Sequence, residues 1–236
     1  MNDPRLAIIE SNLEQVRERI ARAAERAGRS PDDVLLVAVT KYVDEDVTRL
    51  LIEAGCHALG ESRPQSLWQK WETLSDPSIA WHMIGHLQRN KVRRTVGKLS
   101  WIHSLDSERL MSEIQKELER EETSLKGMLE INISGDPSKT GLLPEDAWNL
   151  LSKQSAFPRI QIEGLMAMAS LKGDLDVARR DFAALRTLRD EWRERLGQPE
   201  ALSELSMGMS RDYEQAIAEG STMIRVGSAL FNGLNR

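Results

Sequence analysis

Lys41 stands just beyond the longest aliphatic run of the chain, Val34–Val39, separated from it by Thr40. A primary amine in that place has two readings. Drawn into a partly apolar pocket it becomes a nucleophile that forms a Schiff base with an aldehyde. Left at a strand end it is a lysine whose stem lies on apolar surface while its charge reaches water. Arg225 is the second oddity, because it interrupts Met223-Ile224-Arg225-Val226, a stretch otherwise fit for burial. A buried guanidinium must be met by acceptors, either a neighbouring carboxylate or an acceptor nitrogen of a bound cofactor. Two segments rich in glycine and hydroxyls, Ser206-Met207-Gly208-Met209-Ser210 and Gly227-Ser228, complete the set. Glycine lets the backbone approach an anion, hydroxyls donate to it, and exposed N–H groups of a following helix point at it. Each segment by itself reads equally well as an ordinary tight turn.

Whether these residues meet depends on the elements that carry them. Leu6, Ile9, Leu13, Val16, Ile20 and Ala24 recur every three or four positions, which predicts a first helix; Gly28 stops it and Ser30-Pro31 turns the chain. The period then changes. Val34–Thr40 is a continuous apolar, β-branched run, the pattern of a strand buried on both faces, and a short helix follows over Asp44–Ala54. The alternation continues, with strands expected at His57–Gly60, Ala80–Ile84, Trp101–Leu105, Gly127–Ser134, Ile160–Met168, Leu202–Met207 and Thr222–Val226. Helical stretches separate them at 62–74, 88–97, 107–122, 144–155, 174–196 and 211–219. Eight strands alternating with helices over 236 residues predict a (β/α)8 TIM barrel with an extra N-terminal helix, a single domain over 1–236. An open doubly wound sheet is the rival architecture.

In a barrel the functional groups sit where strands end, and the loops after strands seven and eight are the usual phosphate site. That rule gathers Lys41, Arg225 and both glycine segments at one mouth, together with His82 and His86 from strand three. Phosphate loops, a Schiff-base lysine and an arginine facing a ring nitrogen together describe a site for pyridoxal 5′-phosphate. The segments VAVTK (37–41), HMIGHLQRNK (82–91), INISGDPSKTGL (131–142) and ELSMGMSRDYEQAIAEGSTMIRVGSALF (204–231) carry a resemblance to the pyridoxal phosphate homeostasis protein family. That family is similar to the N-terminal barrel of alanine racemase. The resemblance implies an internal aldimine on Lys41, ring-nitrogen contact from Arg225, phosphate contacts from Ser210, Gly227 and Ser228, and a pocket lined by His86 and Met209. It departs from the family pattern after strand two, where Gly-Glu-Asn is common and this chain has Gly60-Glu61-Ser62-Arg63-Pro64; serine is shorter and offers no amide. Met168–Lys172 also lacks the prolines often found there.

Arginine donates but does not accept, so with Arg225 in that role the pyridine ring stays neutral and is a weak electron sink. Racemases of this fold take a second base from another domain or subunit, and the length leaves no residues for such a domain. The expectation is therefore a carrier or buffer of the cofactor without catalytic residues, serving PLP-requiring apoenzymes; an amino-acid racemase or decarboxylase is the enzymatic alternative. His57, His82, His86 and His103 raise a metal-dependent hydrolase as a further reading, but no HExxH or H-x-H pair accompanies them. GDPSKTG at 135–141 is not a G-x4-G-K-[ST] loop. With 32 basic against 37 acidic side chains the net charge is −5, so Arg89, Lys91, Arg93 and Arg94 read as a solvated helix face and no nucleic acid is expected. At 40% hydrophobic and 29% charged the chain can bury a core, and no run approaches a membrane span. A lone Cys56 excludes a disulfide framework and suits a reducing cytoplasm, and a complete barrel with an open site permits a monomer.

Overall fold

The computed structural model describes residues 3–135, 140–170 and 173–234. Its strands are β1 (Leu35–Val39), β2 (Ala58–Glu61), β3 (Ala80–Met83), β4 (Trp101–Leu105), β5 (Leu125–Glu130), β6 (Ile160–Met166), β7 (Glu204–Met209) and β8 (Met223–Val226). They pair in parallel in chain order, and β8 returns to β1 with Arg225 opposite Val37, which closes a barrel and rules out the open sheet. Helices α2 (Glu45–Glu53), α3 (Pro64–Leu74), α4 (Val92–Thr95), α5 (Glu108–Arg120), α6 (Pro144–Leu151), α7 (Leu175–Leu196) and α8 (Tyr213–Ala218) follow β1 to β7 in turn. Among the described residues, β8 is followed by a 3-10 turn, Ser228–Phe231, in place of a helix.

The first helix, α1 (Pro4–Arg26), takes the seat that this turn leaves open. Asp3 caps it by accepting from the Arg5 N–H, and its buried stripe of Ile9, Leu13, Val16 and Ile20 packs between α2 and α8 and onto the turn after β8. Asn12 Nδ2 donates to the carbonyls of Leu230 (3.1 Å) and Asn232 (2.8 Å), and Arg19 pairs with Glu214 while lying over the Tyr213 ring. The helix expected as an addition in front of the barrel is thus the eighth member of its outer ring.

Several elements end elsewhere than their patterns suggest, two of them at instructive places. The stretch 88–97 is four α-helical residues flanked by 3-10 turns, because Val92, Thr95, Val96 and Gly97 are poor helix formers and the Thr95 hydroxyl bonds back to the Lys91 carbonyl. β5 stops at Glu130, and Ile131 instead bridges to Leu142. Asp136–Lys139 of the 131–142 motif, with Leu171 and Lys172, lie outside the described residues.

The barrel interior is layered. Met128, Met166 and Met223 form an apolar cluster of their own, with Trp101 against it, apart from the core between strands and helices. Side chains alternate along a strand, so two residues on from Trp101 and Met223 come His103 and Arg225. With His82 and Ser206 they make a fully enclosed polar layer beneath the mouth. β6 and β7 approach closely because residue 164 is glycine: a Cβ there would overlap the Glu204 carbonyl.

Candidate functional site

Above that polar layer the strand ends surround a cavity of about 640 Å³. Lys41, Met209, Ser210, Arg225, Gly227 and Ser228 all line it, with Tyr42, Ser62, Ile84, Met168, Leu175 and Phe231 among the other walls. Six of the seven residues expected at the site therefore meet. The seventh, His86, does not line the cavity: its side chain is exposed, with Nδ1 2.7 Å from Asp106 Oδ2. Lys41 leaves the end of β1 with its Nζ 4.9 Å from the centre of the Tyr42 ring, itself 72% exposed.

Arg225 is enclosed, and its partners decide what it can do. Nη1 donates to the Ser206 carbonyl (2.8 Å) and hydroxyl (2.5 Å), and Nη2 donates to the Ala167 carbonyl (3.0 Å). Among the described residues no carboxylate forms an ion pair with it. Burial pulls its pKa down to about 10, against the more distant pull of Glu130 and Asp212. The neutral acceptors hold the guanidinium in place beside a cavity that Asp212 also lines.

The arginine is also one end of a buried chain of polar contacts. The Ser206 hydroxyl, already accepting from Arg225, lies 2.8 Å from His103 Nδ1. His103 Nε2 is in turn 2.9 Å from His82 Nδ1, and His82 Nε2 has no partner among the described residues. Burial holds His82 neutral, with a pKa of about 3; burial, His82 and Arg225 hold His103 well below the usual range. His82 also stacks on Trp101. His57 is at the opposite end of β2, bonded to Ser78, so the four histidines do not converge. Among the described residues no three His, Cys, Asp or Glu side chains group as metal ligands.

The anion end is built from backbone and hydroxyls. Ser210 Oγ accepts from the Gly227 N–H at 3.2 Å, tying the loops after β7 and β8 together, and Asp212 Oδ1 accepts from the Met209 N–H at 2.7 Å. Burial raises the Asp212 carboxyl pKa. The turn opened by Ser228 has no capping side chain. Gly208, at φ +94°, has a packing reason for being glycine: a Cβ would strike Ala216 and Tyr213 as α8 folds onto the end of β7.

Comparison with known proteins agrees with this geometry. Residues 11–235 match the family model of the alanine racemase N-terminal domain. The chain is 39% identical to the pyridoxal phosphate homeostasis protein of Aquifex aeolicus over 93% of its own length and 95% of that protein's. This chain belongs to the pyridoxal phosphate homeostasis protein family. Other pyridoxal phosphate homeostasis proteins, from Escherichia coli K12 and Mus musculus, are 34% and 36% identical over 98% and 93% of this chain and 97% and 84% of theirs. Among solved structures, PipY of Synechococcus elongatus PCC7942 with PLP bound superposes with a TM-score of 0.83 at 34% identity, covering 95% of this chain and all of PipY. An alanine racemase of Clostridium difficile shares the fold at 12% identity and a TM-score of 0.73, over 97% of this chain and 57% of that one. No described helix of this chain is long and apolar enough to cross a membrane.

The sequence marks the residues that end strands, but not the contacts that support them. Ser206, His103, Glu61 and Lys70 are buried polar groups whose partners come from distant segments, and no local pattern marks such meetings. The one available signal was a polar residue inside an otherwise apolar strand, as at His103 and Ser206.

Proposed function

We propose that the cavity binds pyridoxal 5′-phosphate and that the protein acts in homeostasis of that cofactor as a carrier or buffer. The donor set fits the molecule's three distinctive groups. Lys41 offers a primary amine to the aldehyde, Arg225 offers N–H to the pyridine nitrogen, and Ser210, Gly227 and Ser228 offer hydroxyl and backbone N–H to the phosphate, with Met209 beside them. His86 stands at the rim, oriented by Asp106. The observation that carries the reading is Arg225: a buried cation, held by carbonyls and a serine, that lines the cavity with no carboxylate in an ion pair with it among the described residues.

When bound, the cofactor supplies an aldehyde that condenses reversibly with amines. What this chain does with it follows from its own groups. A guanidinium donates a hydrogen bond but keeps its proton, so Arg225 orients the ring without protonating it and keeps carbanion chemistry weak. Racemisation would need a second base across the cavity from Lys41, and the tyrosine lining the cavity, Tyr42, lies against the Lys41 amine itself. These features favour a cytoplasmic, monomeric binding protein whose partners are PLP-requiring apoenzymes over a racemase or decarboxylase.

The test is an absorption spectrum of the purified protein before and after borohydride, followed by peptide mapping. The expected result is a visible band that borohydride removes and a reduced pyridoxyl group on Lys41. A borohydride-trapped group at an unchanged position in Lys41→Ala overturns the assignment. Loss of optical rotation from L-alanine mixed with the protein would favour the racemase.

A further inference from the structure

Behind Lys41 lies a buried ion pair that the binding reading does not use. Glu61, at the end of β2, is fully buried, and Lys70, on α3, is 3% exposed. Lys70 Nζ donates to Glu61 Oε1 at 2.5 Å and to the Thr40 carbonyl at 2.6 Å, and the Thr40 hydroxyl donates to the same Glu61 oxygen at 2.7 Å. Thr40 also gives its N–H to the Gly60 carbonyl (3.0 Å), and its carbonyl accepts from the Val43 N–H (3.1 Å). Every polar group of Thr40 is thus engaged, one residue before the lysine. Glu61 Oε2 is buried with no partner among the described residues.

This arrangement is an uneconomical way to pack a barrel. Withdrawing two charges from water is costly, and well-packed apolar residues commonly serve stability as well or better. What an ion pair adds is geometry, because it fixes the groups it touches. The group touched here is the residue that aims Lys41. A lysine stem has four rotatable bonds, so the one part of its pose that the fold can impose is the direction in which the side chain leaves the backbone.

We propose that Glu61 and Lys70 are positioning residues for Lys41, clamping Thr40 so that the amine leaves β1 toward the cavity. The inference rests on the reading of Lys41 as the condensing amine. Three variants test it: Lys70→Met, Lys70→Arg as the conservative rescue, and Thr40→Val, which removes only the hydroxyl. Amide hydrogen exchange at residues 41–43 is measured on ligand-free protein. The rate of adduct formation with pyridoxal 5′-phosphate is compared with the affinity for pyridoxine 5′-phosphate, which has an alcohol in place of the aldehyde.

For Lys70→Met, exchange at 41–43 should rise about tenfold and the adduct form about tenfold more slowly. Pyridoxine 5′-phosphate affinity should stay within about twofold, and Lys70→Arg should recover most of the rate. Unchanged exchange and rate in folded Lys70→Met overturn the proposal, as does an equal loss of both ligands, which marks a purely structural role. If Lys70→Met does not fold, Thr40→Val carries the same comparison with an expected change of about threefold. If the wild-type protein forms no adduct, the binding reading fails instead, and positioning is decided by the exchange data alone: a rise supports it and equal rates refute it.

Discussion

Lowering the pH from 7 to 5 should weaken this barrel steeply, and two enclosed histidines set the size of the effect. His82 is held at a pKa of about 3 and His103 well below 6.5, the ordinary value both regain on unfolding. Between those limits the unfolded chain binds protons that the native one refuses, so stability present above pH 6.5 is lost as the pH falls. Each pH unit below 6.5 costs about 1.4 kcal/mol per histidine, hence about 2 kcal/mol each at pH 5 and about 4 kcal/mol for the pair. That is a large part of the roughly 5–15 kcal/mol that holds a typical domain together. Urea unfolding followed by circular dichroism at pH 7, 6 and 5 should show the midpoint falling by about 1.3 M in total if m is about 3 kcal/mol/M. In His82→Leu, which keeps an apolar contact on Trp101, the slope should drop to about that of one histidine. Burial-raised Glu130 and Asp212 act with the opposite sign, their contribution shrinking as pH rises, but they are common to both proteins and leave the difference untouched. A flat midpoint, or an identical slope in His82→Leu, would refute the claim that these histidines are enclosed and neutral.

Ser206→Ala should destabilise the protein by about 1–3 kcal/mol in the same urea assay, because Arg225 loses an acceptor and His103 a partner inside a closed layer. It should also slow cofactor capture, measured by stopped-flow absorbance, since the guanidinium is then less firmly held. Cys56 is buried, and burial pushes its thiol up to about 11, so a disulfide reagent at pH 8 should label no thiol in native protein and one per chain in denaturant. Gly164→Ala should cost more than about 4 kcal/mol, seen as failure to accumulate folded protein at 37 °C, because a methyl group there overlaps backbone rather than a movable side chain.

The strand count, the barrel and the location of the site were legible because each rests on local pattern or on a general rule about strand ends. The run before Lys41 reads as a strand on composition alone, and Lys41 falls where β1 delivers it; α7 matches its expected 174–196 almost residue for residue, since Asp174 caps it and Gly197 ends it in left-handed conformation. Legibility stopped where long-range packing chose between equal options. Arg225 announced itself as a buried cation, but only the fold shows that Ser206 and Ala167 are its acceptors. The resemblance puts His86 in the pocket, yet its side chain is exposed and bonded to Asp106. Lys70, one of many charges on a helix, gave no hint that it reaches back to Thr40.

The seat of α1 bears on how the molecule is made. A ribosome releases α1 first and β8 with its closing turn last, yet these are neighbours: Asn12 bonds to Leu230 and Asn232 across more than two hundred residues of intervening chain. The α1 stripe therefore has α2 to lean on early in synthesis but meets α8 and the final turn only at the end, when β8 also finds β1. Until then the nascent chain carries an unfinished apolar helix and two open strand edges, the features that draw chaperones and invite misassembly. Pairing of β8 with β1 covers those edges and brings in Arg225, so the ring and that half of the site are completed by the same contacts.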